Sequence, residues 1–234
     1  MTSIKKEVRK KTIIKKSHFH NSLNHSLPQE EKMKSLKIAT LLTALLMFAS
    51  VPALQALDTL TVNPGLNTLS DAVQADVDAG FDMSQRVYKL LRGQPYLNNV
   101  VIETGDWPIR IYGEPGPIDQ KPAIIQPFTD ASGEAPNPSL RTNGDVELKN
   151  IYGCSMNNTG KIHNKFLRHY GDSTRVVVDN CVFEYTDFVC LRNEGVWNEF
   201  IVTNSIFRNQ LRPTSQSNGR AFDSRRNLCK LISF

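Results

Sequence analysis

The sequence predicts an all-β chain wound as a right-handed parallel β-helix, with a capping α-helix at its N-terminal end. Three observations carry this. The pattern Leu-Arg-x-x-Gly occurs three times, at residues 140–144, 167–171 and 191–195. The last two copies then stay in register for 24 residues: Val176 matches Phe200, Val178 matches Val202, Asn180 matches Asn204 and Phe183 matches Phe207. The first copy is three residues shorter, yet delivers Val146, Leu148 and Asn150 in the matching places. Finally, turn residues rather than a helical period separate these strands, which excludes a leucine-rich type of α/β solenoid. Strand repeats of this length bury their apolar faces only by stacking on their neighbours.

The two ends read differently from the body. Residues 1–32 hold eight Lys or Arg against three Glu, so the formal charge of +5 belongs to this leader. From Leu57 onward there are 18 basic and 20 acidic residues, which removes the electrostatic footing for a nucleic-acid partner. The leader, with His18, His20 and His25, has no apolar period and is expected to be a disordered upstream extension. Residues 33–56 read as a signal peptide. Lys34 and Lys37 precede an apolar run at 38–51, too short for a comfortable span, and Ala53 and Ala56 offer small-residue exits. The expected location is therefore secreted or cell-surface, with no stable membrane span after cleavage. The solenoid domain is assigned to 57–226, C-terminally incomplete, and 227–234 to an aberrant tail. Residues 220–225 look like the opening of a further coil, and the chain stops nine residues later.

Residues 57–62 form the first strand candidate. Thr68-x-x-Asp71, ahead of Leu69, Val73 and Val77, has the spacing of a capping box and predicts a helix over 68–79 ending at Gly80. Its expected task is to cover the first coil. Strands follow at 87–91, 99–103, 109–112 and 121–125, punctuated by Gly93, Gly105 and Gly113. Residues 128–138 form a polar excursion rich in Pro and Gly, and 211–219 a long loop. Within the repeats, Val146 and Leu148, Val176 and Val178, and Phe200 and Val202 take one face by period-2 alternation. Asn150, Asn180 and Asn204 fall where the backbone must turn, and one Asn per coil predicts a hydrogen-bonded ladder.

The order of these features resembles the pectin-lyase-like β-helix superfamily over about residues 58–225. The residues that carry the likeness are Tyr88-x-Leu90-x-Arg92-Gly93, Ile109-x-Ile111-x-Gly113-Glu114, Lys121-Pro122, Val177-x-x-Asn180-Cys181-x-Phe183 and Val202-x-Asn204-Ser205-x-Phe207. The nearest likeness is to the alginate-lyase and chondroitinase-B group and to bacterial surface β-helix proteins. It implies an acidic polysaccharide as partner. It also implies β-elimination on uronates, with calcium or basic groups neutralising the carboxylate. The Asp clusters and the Arg-x-Pro-x-x-Arg stretch of pectate lyases are absent. On this resemblance Lys165, Arg168 and Arg192 are the candidate catalytic groups, with Glu194 beside them.

Arg141, Arg168 and Arg192 each follow an inward Leu by one, so they are expected to point outward on neighbouring strands, roughly 5 Å apart. Three such guanidiniums repel unless acids or an anionic ligand compensate them. Two readings stay open. A uronate-rich glycan along the stack is held by Arg141, Arg168, Arg192 and Glu194. Alternatively, the column is a structural ladder paired with Asp172, Glu184 or Glu194 in a non-catalytic surface or adhesion protein. His163 and His169 read as surface loop residues. Tyr152, Tyr170, Tyr185 and Trp197 would suit a sugar-stacking platform, but their scatter over repeat positions favours ordinary packing or loop residues. Cys154, Cys181, Cys190 and Cys229 lack metal-ligand spacing, and Cys190 is expected as a buried thiol.

Overall fold

The computed structural model describes residues 56–117, 120–210, 219–225 and 229–233. The leader at 1–32, the segment 33–56 expected as a signal peptide except its last residue, and residues 211–218 of the loop lie outside the described residues. Within them, eighteen strands form three parallel sheets around one apolar core.

The first sheet stacks β1 (Asp58–Val62), β3 (Arg86–Leu90), β6 (Ile109–Gly113), β9 (Val146–Lys149), β12 (Arg175–Asp179), β15 (Asn198–Thr203) and β18 (Cys229–Ser233). The second runs from β2 (Gly65–Leu66) through β4 (Pro95–Asn98), β7 (Ala123–Pro127), β10 (Ile151–Cys154) and β13 (Val182–Glu184) to β16 (Ile206–Arg208). The third holds β5 (Ile102–Glu103), β8 (Leu140–Thr142), β11 (Leu167–His169), β14 (Val189–Asn193) and β17 (Arg220–Ser224). The chain thus visits the three sheets in turn, one strand each per coil. Helix α1 (Thr68–Asp78) takes the third-sheet place in the first coil.

Register follows the repeat. Leu140, Leu167 and Leu191 share one rung position, as do Val146, Val176 and Phe200. Phe166 meets Phe183 edge-on at 4.9 Å, and Phe183 stacks on Phe207 at 5.3 Å. Gly153 makes the first contact possible, because a Cβ there would meet both rings at less than 3 Å. The Asn ladder forms between Asn150 and Asn180 but does not extend to Asn204, whose Nδ2 donates to Asp179 Oδ1 at 3.0 Å. Asn180 Nδ2 donates to Asn150 Oδ1 at 2.8 Å, and Asn150 Nδ2 to the Gly113 carbonyl at 3.2 Å. Asn150, Asn180 and Asn204 all adopt positive φ, a region that Asn tolerates better than most side chains.

The glycines of Leu-Arg-x-x-Gly have a second role. A Cβ on Gly171 would stand 1.7 Å from the Asn143 carbonyl oxygen, and one on Gly195 would stand 1.8 Å from that of Gly171. These positions are the points where successive coils touch backbone to backbone.

Four local readings differ from the sequence expectation. The helix N-cap is Asn67 at φ 60, with no side-chain cap bond, and no Thr68–Asp71 capping box forms. Asn67 instead uses its amide on the next coil, donating to Asn99 Oδ1 at 2.6 Å and accepting from Asn99 N at 2.9 Å. The strand expected at 99–103 shortens to β5 at 102–103, because 99–101 form the corner after β4, a strand that the sequence expectation missed. His163 and His169 are buried rather than superficial. His169 Nε2 lies 3.1 Å from both the Gly144 carbonyl and Thr174 Oγ1, with its ring edge-on to Phe200. Finally, Cys229–Ser233, inside the segment set aside as a tail, pairs in parallel register with β15.

Candidate functional site

The third sheet carries an outward row with a definite charge order. Strand register places Glu103, Arg141, Arg168, Arg192 and Asp223 side by side, one per coil. Parallel strands put neighbours in this row about 4.8 Å apart. The Leu before each Arg is buried, so alternation turns each Arg outward.

Carboxylates partly compensate the row. Arg141 Nη1 lies 3.4 Å from Glu103. Glu194 Oε1 is shared: Arg168 Nη2 approaches at 3.1 Å and Arg192 Nε at 2.7 Å. The Arg192 approach is out of line for a hydrogen bond, and its buried Nε–H has no hydrogen-bond acceptor. Arg141 Nε is in the same position. Burial of Arg192, whose side chain is only 8% exposed, pulls its pKa below the ordinary value.

Lys165 stands at the edge of this group. Its Nζ lies 5.8 Å over the Phe188 ring, and Arg192 is also over that ring at 5.6 Å. Among the described residues no carboxylate is within ion-pair distance of Lys165. Partial burial, then the positive charges of Arg192 and Arg168, lower its pKa below the usual lysine value. The free amine is thereby favoured, which is what a lysine base requires.

The structure therefore brings together Lys165, Arg168, Arg192 and Glu194, with Arg141 one coil away. Glu184 and Asp172 stand outside the group. Glu184 lies on the second sheet and accepts from Tyr152, from Arg208 at 2.9 Å and from Asn209 at 2.6 Å. Asp172 accepts the Val196 N–H at 2.8 Å. Tyr170 flanks the row, with the Arg168 guanidinium 4.7 Å over its ring. Among the described residues Trp197, at a positive-φ turn, is the most exposed large apolar side chain, at 69%. Tyr152 faces a different groove, lined also by Ile124, Val182 and Glu184.

Glu103, Asp223, Phe188 and Trp107 escaped the sequence reading. Ile102-Glu103 and Phe222-Asp223 keep the apolar-then-charged order of Leu-Arg but reverse the charge, which hides them from a motif search. Among the described residues no group of three or more His, Cys, Asp or Glu is placed to hold a metal ion. Nor is any described helix long and apolar enough to cross a membrane. No protein-family model, no curated protein and no solved structure matches the chain.

Proposed function

We propose that this chain is an exported, right-handed β-helix protein of the pectin-lyase-like type that binds an acidic, uronate-containing polysaccharide. The ligand lies on the outer face of the third sheet, and α1 covers the N-terminal end of the core. The observation that carries this is the cluster of Lys165, Arg168 and Arg192 around the single carboxylate of Glu194. Arg168 and Arg192 share one carboxylate oxygen of Glu194, and Lys165 has no carboxylate within ion-pair distance among the described residues, so positive charge is in excess there. An anionic ligand balances that excess, and carboxylates fit guanidinium forks in bidentate fashion. Export is supported by Lys34, Lys37, the apolar run at 38–51 and Ala53.

The same cluster suits β-elimination. Arg168 and Arg192 neutralise the uronate carboxylate, which acidifies the C5 proton. The Lys165 amine takes that proton, the C4–O bond breaks with its electron pair on oxygen, and a C4=C5 double bond forms. The departing oxygen takes a proton from solvent.

One observation favours the second reading, a non-catalytic surface protein with a structural Arg ladder. Glu103 and Glu194 already pair with all three Arg of the column. The deciding experiment offers alginate, pectate and chondroitin to the chain, following glycan retention and the ultraviolet absorbance of unsaturated uronate. Retention lost in Arg168→Ala and Arg192→Ala supports the glycan face. A rise in absorbance lost in Lys165→Met supports the lyase. Retention of none of the three glycans, with both Arg variants neutral, leaves the structural ladder.

A further inference from the structure

We infer that the α1-facing end of the basic row selects an uncharged sugar ring, so that the ligand's anionic stretch ends at Arg141. This rests on the reading of the third sheet as a glycan face. Register makes Glu103 the next rung after Arg141, so the sign of the row reverses in one strand spacing. The Glu103 side chain is 52% exposed, and Arg141 reaches it only at 3.4 Å. A second carboxylate, Asp106, lies three residues on, where Asn143 Nδ2 donates to it at 2.7 Å.

Beside these acids the surface opens into a groove of about 660 Å³ between α1 and the third sheet. Gln74 and Val77 form one wall, and Glu103, Gly105, Asp106 and Trp107 line the rest. Gly105 keeps the floor bare: a Cβ there would meet nothing within 4 Å. Trp107, 41% exposed, brings a large flat apolar side chain to the groove lining.

An uncharged pyranose suits this groove on each count. Its C–H face stacks on the indole, and its hydroxyls donate to Glu103 and Asp106. A uronate at the same place brings its carboxylate against two others and is repelled. The groove and the row share Glu103, so one glycan chain reaches both. The row thus reads anionic rings over Arg141, Arg168 and Arg192, then a neutral ring at Trp107.

The test compares tetragalacturonate with the two tetramers carrying one methyl ester, at the reducing or the non-reducing end, by titration calorimetry. One of the two esters is expected to bind about ten-fold more tightly than the fully acidic tetramer, a difference of about 1.4 kcal/mol. Glu103→Gln, an isosteric surface change, is expected to bring the acidic tetramer to within about two-fold of that ester. Trp107→Ala is expected to weaken the favoured ester while leaving trigalacturonate unchanged. Equal binding of all three tetramers, with Glu103→Gln neutral, overturns the inference but leaves the glycan face standing. Failure of every tetramer to bind overturns the glycan face and this inference together.

Discussion

Gly171 and Gly195 show how little room a single residue has in a stack of parallel coils. Each sits where one coil's backbone presses on the next, so adding one methyl forces a carbonyl to move. Gly195→Ala is expected to cost about 2–3 kcal/mol, read as a lowered thermal midpoint, in line with other overpacking changes. Buried His169 predicts an acid sensitivity of a defined sign. Burial lowers its pKa from the ordinary 6.5, so the unfolded chain binds the proton more tightly than the folded one. Its contribution is complete above about pH 6.5 and is lost as pH falls below that value. His163, also lowered by burial, acts in the same direction. The depressed carboxylates Asp179, Glu147 and Glu184 titrate in a more acidic window. The repeat supplies the test substitution, because Asn193 occupies the matching rung. His169→Asn is expected to shrink the drop in thermal midpoint between pH 7 and pH 5.5. An unchanged drop would show that His169 does not carry it.

At the scale of elements, the third sheet carries the Arg column, while the exposed Trp107, Tyr170 and Trp197 lie just outside the strands. The Arg spacing was legible because a motif repeated on stacked strands fixes register, and register fixes neighbours. The partners were not legible. Glu194 reaches Arg168 from the following coil, 26 residues away in the chain, and Glu103 meets Arg141 across 38. Neither separation is a repeat length. Because Glu194 occupies two guanidiniums that a glycan carboxylate would otherwise take, Glu194→Gln is expected to raise acidic-glycan affinity about three- to ten-fold and steepen its salt dependence. Calorimetry at two ionic strengths checks this, and a loss of affinity would make Glu194 a ligand contact instead. If the lyase chemistry holds, the rate is expected to climb with pH along a limb set by a lysine titrating below its ordinary 10.5. That limb should vanish in Lys165→Met, as pH–rate profiles would show.

Across the whole molecule, stability is a sum over coils and the contacts between them. Phe183 sits mid-stack, fully buried between Phe166 and Phe207. Phe183→Ala is expected to cost about 3–5 kcal/mol. Phe222, half-buried on the last rung of the third sheet, should cost clearly less when truncated. Hydrogen exchange should rank the coils likewise, with slow amides in β9 to β14 and faster ones in β17 and β18. Equal protection throughout would contradict this order. The sequence by itself determined the repeat, the parallel stacking, the inward Leu and Phe positions, the positive-φ Asn turns and the outward Arg column. All of these follow from local alternation repeated at a fixed period. Only the tertiary structure decided that Glu103 reverses the row, that Glu194 is shared, that His169 is buried and that the Asn67 side chain bonds to the next coil while its carbonyl caps the helix. Each of those depends on which side chains meet between coils of unequal length, and no local period encodes that.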